Sequence, residues 1–516
     1  MTRRPLPPGA RDTRAVLWPA HHGAARAGSP PPRAAVVGGG IAGLTAAVAL
    51  AERGIAVNLY ERGPHLGGRL AGWDTTLADG TTVTMNRGFH AFFRQYYNLR
   101  ALLRRIDPAL GFLTALPDYP LRSRTGGTDR FAGLPRTPPW NALLFALRSP
   151  TFRLTDLARI DARRARPLFD VRVPDVYHAL DTASAAEFLA AVNFPPKARH
   201  LAFEVFSRSF FSAPETLSAA ELALMFHIYF LGSSEGLLFD VVNEPFPQAL
   251  WNPLADRLAA LSVRVHTATA VRAVAPRPDG GFDLDLDDGA EAFDAVVLAT
   301  DLAGLRTLVE RSPLLDDHEL RACAAAVRQA PPFLVSRHWI DRPARPDRAG
   351  FLGTSGYGPL DNVSVVERWE GQAARWTART GGSVLELHAY AVDPSADRTA
   401  VQDQALAQSR LLYPETATAR VVDSRHAWHS DCPLFAVGSH AQRPRTRTRY
   451  PRLVLAGDAV RCPLPTALME RAATTGFAAA NSLLRAWGLR GHDLWSVPPH
   501  GRNTLLRAFA AGSHHP

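Results

Sequence analysis

The sequence has almost no lysine. Lys197 stands alone among 58 basic residues, so the formal net charge of +10 is carried by arginine spread along the whole chain. Scattered guanidiniums with no aromatic-interleaved basic platform, helix-turn-helix or zinc-finger spacing exclude a nucleic-acid-binding module. Cysteine is nearly as scarce. Cys323, Cys432 and Cys462 are isolated and odd in number, which suggests neither a disulfide framework nor a structural zinc site and suits a reducing cytoplasm. No metal is expected at His426, His429 and Cys432, which lack a companion pair. Paired-carboxylate and nucleophile-elbow signatures are absent too. No run reaches about 18 uncharged apolar residues, so the chain is expected to lie on a membrane surface rather than to span the bilayer. Met1 to Pro32 carries Arg, Pro and Ala but no apolar h-region, and reads as a disordered arm rather than a signal peptide.

What is present is globular: 46% hydrophobic and 21% charged over 516 residues, enough for two or three domains. The most informative stretch is Arg33 to Arg69. Ala34 to Val37 runs into Gly38, Gly40 and Gly43, followed by an Ala/Leu-rich helical pattern from Ile41 to Ala51. The first glycine allows the turn, the second lets backbone N–H groups approach a pyrophosphate, and the third lets helix and strand pack closely. A second strand, Ile55 to Tyr60, ends on Glu61, roughly 20 residues beyond the last glycine, where a carboxylate accepts from ribose hydroxyls. Strand, glycine turn, helix and acid in this order predict adenine dinucleotide binding.

Further along, a dense block from Met85 to Asn98 precedes an amphipathic helix, Leu99 to Ile106, and Pro117 to Pro139 is irregular. Trp140 to Leu147 is an apolar run between Arg136 and Arg148, suited either to the headgroup region of a membrane or to a helix packed on the domain. Residues 186 to 250 are the most apolar, with Phe203, Phe206, Phe210 and Phe211 and a helix-like run from Leu222 to Leu231. Most of this is core, and the same lining would remove a large hydrocarbon from water. A helix from Asn252 to Leu261, strands at Val263 to His266 and Thr269 to Val274, a hairpin and the strand Asp294 to Thr300 follow. Residues 306 to 445 are assigned to a second sheet, with strands such as Phe333 to Trp339 and Val384 to Val392. The last signal is a buried strand ending in Gly457-Asp458, then a helix from near Thr466 to Trp487 whose positive end would face a cofactor.

Glu61-Arg62, Pro64 and Gly67-Gly68-Arg69 give E-R-x-P-x-x-G-G-R, which resembles the extended fingerprint of the FAD-dependent flavin amine oxidase and carotene desaturase superfamily. Gly88-Phe89-His90-Ala91-Phe92-Phe93 is similar to the G-L-H-x-F-F block of plant-type carotene desaturases. Together with F-E-V-F-S-R-S-F-F, M-F-H-I-Y-F-L-G-S-S-E-G and L-M-E-R-A-A-T-T-G-F, these blocks resemble the isorenieratene synthases, a family of carotenoid ring desaturase/methyltransferases, over roughly residues 34 to 500. The resemblance implies an α/β fold with a Rossmann-like FAD-binding domain assembled from three separated segments (34–105, 251–305 and 446–490), a mixed α+β substrate domain (106–250 and 306–445), the arm (1–33) and a C-terminal tail (491–516).

It implies FAD contacts at Gly38, Gly40, Ile41, Ala42, Gly43, Glu61, Arg62, Gly68, Arg69, Gly88, Phe89, Val271, Gly457, Asp458 and Met469, the valine meeting the adenine. His90 is the candidate base or flavin contact, with Glu470 and Arg94 as weaker candidates. The implied activity is desaturation of a β-ionone ring of β-carotene with an intramolecular 1,2-methyl shift, at a membrane surface and with an electron acceptor that the sequence does not identify. Another carotene desaturase or isomerase, an amine oxidase, and a non-catalytic isoprenoid-binding escort protein remain as alternatives.

Overall fold

The computed structural model describes residues 6–152, 154–202 and 208–502; Phe203 and Phe206 and the first five residues of the arm lie outside them. Its organising layer is a parallel sheet. β1 (Arg33–Val37), β2 (Ala56–Tyr60), β3 (Arg264–His266), β4 (Ala295–Leu298) and β5 (Leu453–Leu455) lie in the order β3-β2-β1-β4-β5, every pair parallel. Strands of nearly continuous Val, Ala and Leu suit this arrangement because both faces are covered. On one face lies α1 (Ile41–Ala51), all of whose residues are buried. A Cβ on Gly43 would fall 1.9 Å from the Gly38 carbonyl oxygen, so glycine sets the closeness of α1 to the β1 turn. The long helix α4 (Leu468–Ala486) covers the other side of α1, and a Cβ on Gly476 would meet the Ala42 oxygen at 2.5 Å. A helix buried all round must be apolar all round. That explains the Ala-rich sequence of α1.

The opposite face carries the meander Ala273–Pro276, Phe282–Leu286 and Gly289–Phe293 and the helices Leu302–Glu310 and His318–Ala326. Leu305, Leu308, Leu320 and Ala324 share one core with Val37, Val296 and Leu453. Residues 306–326 were expected in the second sheet; instead an Asp301 cap on the Gly304 N–H starts an amphipathic helix that packs on the parallel layer. The second sheet begins at Phe333. It has seven strands in the order Val421–His429, Phe333–Ile340, Ser383–Ala389, Asn362–Val365, Phe351–Ser355, Leu121–Ser123 and Thr128–Asp129, all antiparallel except the pairing of Phe351–Ser355 with Leu121–Ser123. The irregular stretch Pro117 to Pro139 thus supplies the last two short strands at one side of this sheet.

Three further expectations need correction. The Arg/Pro-rich arm is ordered from residue 6: Val16–Trp18 pairs with Leu494–Ser496, and fully buried Asp12 accepts from the Ser234 N–H and ion-pairs with Arg502. The arm has little apolar surface of its own and packs on that of other segments. The strand expected over Thr269 to Val274 covers only Ala273–Pro276, because the Ala268 and Thr269 N–H groups donate to Gly63 and Glu61 carbonyls at 2.8 and 2.9 Å. The helix expected from Leu99 to Ile106 is α2 (Tyr97–Leu103), started earlier by the Glu470 carboxyl, which accepts from the Asn98 and Leu99 N–H groups. α3 (Trp140–Arg148) occupies the apolar run between Arg136 and Arg148.

A buried ion triad joins the two halves. Glu221 lies on the helix Ala219–Phe226, fully buried, and accepts from Arg443 at 2.6 Å, Arg471 at 2.8 Å and the Tyr177 hydroxyl at 2.8 Å. Burial alone would raise the Glu221 pKa, but the two guanidiniums pull it down to about 2. The stabilisation this gives is complete above the ordinary carboxylate value of 4.5 and is lost as pH falls from there towards 2. Glu221→Gln leaves two guanidiniums buried against an uncharged amide. It is expected to cost about 3–5 kcal/mol, read as a lowered denaturation midpoint, with a shallower acid limb of stability than the parent; an unchanged midpoint would show that the triad does not hold the halves together.

Candidate active site

One cavity of about 670 Å³ runs from the C-terminal ends of the parallel strands to the second sheet. At its first end the Gly38–Gly40 turn and the Gly67–Gly68 turn lie side by side: the Gly67 N–H donates to the Gly39 carbonyl at 2.8 Å. Gly38 (φ 114°) and Gly68 (φ 57°) have backbones that side-chain-bearing residues avoid. A Cβ on Gly40 would meet only the Gly68 Cα, at 3.9 Å, so this glycine opens into the cavity. No side chain caps α1 among the described residues, and its first turn has no acid, which leaves helix N–H groups and their partial positive charge facing the cavity for an anion. Glu61 braces the turn, accepting from Gly39 N–H at 2.7 Å and Gly63 N–H at 2.8 Å, and still lines the cavity. Arg62 bridges to Asp301 at 2.6 Å across the mouth. Val271 lines the same end, held there by the chain that fails to become strand.

In the middle, β5 delivers Gly457 (φ 151°) and Asp458, and Asp458 pairs with Arg69 at 2.6 Å. Burial opposes the charge on Arg69, but the Asp458 carboxylate holds its pKa above the ordinary value. A Cβ on Gly457 would meet nothing within 4 Å. Leu468 and Met469 open α4 on the cavity wall, with Leu468 at φ 52°, a strained backbone for leucine. Two uncapped helix starts and two open glycines thus face one space. This is a cradle for an extended, phosphate-bearing group.

The far end is aromatic. Phe89 stacks on Phe351 at 4.4 Å between centroids and meets Phe239 edge-on at 5.5 Å, while Phe93 lies 4.2 Å from Tyr229, whose hydroxyl is 2.6 Å from that of Tyr96. His90, next to Phe89 in the chain, lines the same cavity beside His388 and Arg87. Its Nδ1 is 2.8 Å from the Gly88 carbonyl, which can only accept, so Nδ1 carries the proton and Nε2 keeps its lone pair. Burial pushes its pKa down to about 4, so the ring is neutral throughout the physiological range.

Of the residues expected to contact the cofactor, Gly38, Gly40, Ile41, Ala42, Glu61, Arg62, Gly68, Arg69, Phe89, Val271, Gly457, Asp458 and Met469 line this cavity, as does His90. Gly43 and Gly88 do not: Gly43 sits behind the turn, and Gly88 (φ 97°) lies on His388, whose Cε1 would be 2.7 Å from an added Cβ. Glu470 and Arg94 also fall outside it. Burial pushes the Glu470 pKa up to about 8, and its oxygens are taken by the start of α2; Arg94 pairs with Asp240 at 3.3 Å.

Sequence reasoning missed His388, Tyr390, Asp361 and Asn362, which line the cavity from the second sheet. The strand Ser383–Ala389 alternates, and Glu386 and His388, with Tyr390 just past its end, form one polar face. That period-two signal was legible. Glu386, held down to about 2 by Arg337 against the effect of burial, lies 2.9 Å from His388 Nε2, and the Tyr390 hydroxyl lies 2.5 Å from Nδ1. The network fixes the ring beneath the Gly88–His90 segment.

The family model for flavin containing amine oxidoreductase matches residues 41–484. A carotenoid phi-ring synthase of Streptomyces griseus is 63% identical over 501 residues, covering 97% of each chain, and one of Chlorobaculum tepidum is 27% identical, covering 91% of each. Among solved structures, cyclohexylamine oxidase from Brevibacterium oxydans has a TM-score of 0.62 at 14% identity, covering 89% of this chain and 99% of its own, which bears on the fold alone. The cofactor of such a family is FAD, and the open glycines, free helix starts and Arg69–Asp458 pair fit a dinucleotide of that length and charge.

Two glycine variants separate cradle from scaffold. Gly40→Leu places its side chain in the cavity and is expected to fold with its ordinary circular dichroism while losing most of the flavin absorbance. Gly43→Leu drives α1 off the turn and is expected to lose soluble folded protein as well. Full flavin content in Gly40→Leu would rule out the cradle assignment.

Proposed function

We propose that this chain, which belongs to the flavin containing amine oxidoreductase family and is an FAD-dependent oxidoreductase, oxidises the end rings of carotenoids and aromatises a β-ionone ring with a 1,2-methyl shift. The single observation that carries the reading is one cavity that joins a dinucleotide cradle to an aromatic lining and includes a neutral histidine. The 63% identity to a carotenoid phi-ring synthase supports the substrate class. When bound, FAD supplies a two-electron oxidant.

The substrate sets what the residues must do. A β-ionone ring cannot become aromatic while its quaternary carbon holds two methyls, so one must move to the neighbouring carbon. Ring oxidation leaves cationic character beside the quaternary carbon; the methyl migrates with its bonding pair, and a proton then leaves. The methyl stays in the molecule, so no methyl-donor site is required. Phe89, Phe239 and Phe351 present π faces that exclude water and stabilise a cation. His90 Nε2 accepts the proton; a base with a pKa of about 4 suffices against a carbocation, and its low basicity keeps it from being protonated by solvent beforehand. His388 fixes the segment that carries His90. Gly38, Gly40, Ile41, Ala42, Glu61, Arg62, Gly68, Arg69, Val271, Gly457, Asp458 and Met469 would hold the cofactor.

A hydrocarbon this apolar resides in a membrane, and α3 offers a surface for one. No helix among the described residues is long and apolar enough to span a bilayer. Trp140, Leu143 and Leu147 are 61%, 44% and 53% exposed on one side of α3, with Arg136 before it and Arg148 at its end, the pattern of an interfacial helix on an anionic surface.

Expression in a bacterium that makes β-carotene is expected to give products lighter by four hydrogens per ring with arene signals in the extracted pigments. Untouched β-carotene beside a flavin-loaded protein would overturn the ring reading. His90→Ala is expected to lower turnover on the order of 10²–10⁴-fold with flavin content unchanged, and the parent's activity should show no His90 titration until pH falls towards 4. Replacing Trp140, Leu143 and Leu147 together by Ser is expected to move the protein from the membrane pellet to the supernatant without changing its flavin spectrum.

A further inference from the structure

A second concavity, of about 250 Å³, lies on the other side of the segment that walls the aromatic pocket. Arg94, Arg100 and Arg104 reach it from α2 and its lead-in, Arg11 from the N-terminal arm, and Arg136 from the chain entering α3; Glu235 is its only acidic lining residue. The guanidiniums outnumber their counterions. Asp240 serves Arg94 and Arg100 together. Glu235 is engaged by backbone, accepting from the Arg11 and Asp12 N–H groups at 2.8 and 2.9 Å. Arg104 donates to the Pro108 carbonyl at 2.6 Å, while its buried Nε has no partner. The side chains of Arg11 and Arg136 form no hydrogen bond or ion pair among the described residues. Burial, and after it the neighbouring arginines, lower the pKa of both Arg104 and Arg136, against an opposing pull from Asp107 on the first and from Glu235 and Asp240 on the second.

We infer that this pocket binds a phosphate group. Five arginines line one space; Arg94 and Arg100 are partly engaged by Asp240, and the Arg11 and Arg136 forks and the Arg104 Nε are left over, a surplus of donors and positive charge that matches a tetrahedral oxyanion with three or four oxygens and up to two charges. A carboxylate, with two oxygens, would satisfy fewer of them. The pocket is closed by the arm, whose Gly9 lies so close to Arg104 that a Cβ there would be 2.4 Å from Nη2; the ordered arm is therefore part of the site. The phosphate is either free in solution or the headgroup of a lipid, and Arg136 lies just ahead of the exposed apolar face of α3. The site does not depend on the ring-oxidation reading, and its test does not measure that activity.

The flavin-loaded full chain is compared with Arg104→Gln/Arg136→Gln and with Arg136→Gln alone, the latter changing an exposed side chain with no partner to lose. One arm titrates inorganic phosphate against chloride at matched ionic strength and reads the thermal midpoint. The other floats the protein with phosphatidylcholine vesicles with and without about 30 mol% phosphatidylglycerol. A phosphate-specific rise in midpoint that is lost in the variants assigns a free anion. Flotation that needs phosphatidylglycerol and falls about tenfold or more in the variants, without a midpoint response to phosphate, assigns the lipid headgroup. If phosphate and phosphatidylglycerol act alike on the parent and the single variant, the pocket binds no phosphate and the inference fails.

Discussion

The Glu221 carboxylate between Arg443 and Arg471 is the interaction on which the site's geometry depends. Arg471 lies on α4 and also donates to the Thr466 carbonyl at 3.0 and 2.8 Å and to the Asp458 carbonyl at 3.4 Å. One buried cation therefore ties the helix Ala219–Phe226 to the loop that presents Asp458 and to the first turn of α4. A hydrophobic replacement could fill the volume but could not fix those carbonyls. Buried ion clusters are poor sources of net stability, because desolvation offsets most of the attraction. Their use here is positional: the strained Leu468 and the open Gly457 stay where they are because the surrounding network over-determines them.

The same principle shapes the chemistry. The cavity combines a charged stretch, where Arg69 faces Asp458, with an aromatic end where the His90 imidazole, next to Phe89 in the chain, is uncharged. A protonated histidine there would repel a developing carbocation; burial prevents it. His388 is instead fixed in place between Glu386, which also pairs with Arg337, and Tyr390. Two histidines within one block of the wall thus have different roles set by surroundings. His90 exposes a lone pair to the cavity, and His388 has both nitrogens occupied.

Much of this was legible in the chain. Glycine spacing, the acid after the second strand, the G-G-R turn and the Gly-Asp strand end are local patterns with local physical causes, so Ile41–Ala51 could be bounded to the residue and nearly all of the expected cradle lines the cavity. What failed was decided by tertiary partners. The arm has no apolar pattern to betray that Val16–Trp18 would pair with Leu494–Ser496. Thr269–Arg272 has the residues of a strand, but Glu61 and Gly63 draw the preceding backbone away from the ladder. Glu470 stood in the sequence as a weaker candidate than His90, and only the fold reveals that α2 uses it as a cap. The polar face of Glu386, His388 and Tyr390 was readable but was passed over as generic strand.

The short segment from Phe93 to Tyr97 carries the last step of the synthesis. Phe93 and Tyr96 face the aromatic pocket, while Arg94 and Tyr97 face the arginine-lined concavity, so one stretch of backbone walls both. Arg100 locks it further, donating to the Phe92 and Phe93 carbonyls at 3.0 and 3.1 Å and to Asp240. An anion held by Arg94 and Arg100 would therefore restrain the same peptide units that carry Phe93 and Tyr96 on the wall of the aromatic pocket. Because Arg136, which precedes α3, also lines that concavity, an anion bound there would bear on the same wall. Orientation of a reacting ring is sensitive to displacements of an ångström, so a restraint on two aromatic side chains is enough to connect surface binding with reactivity without any large movement of the fold.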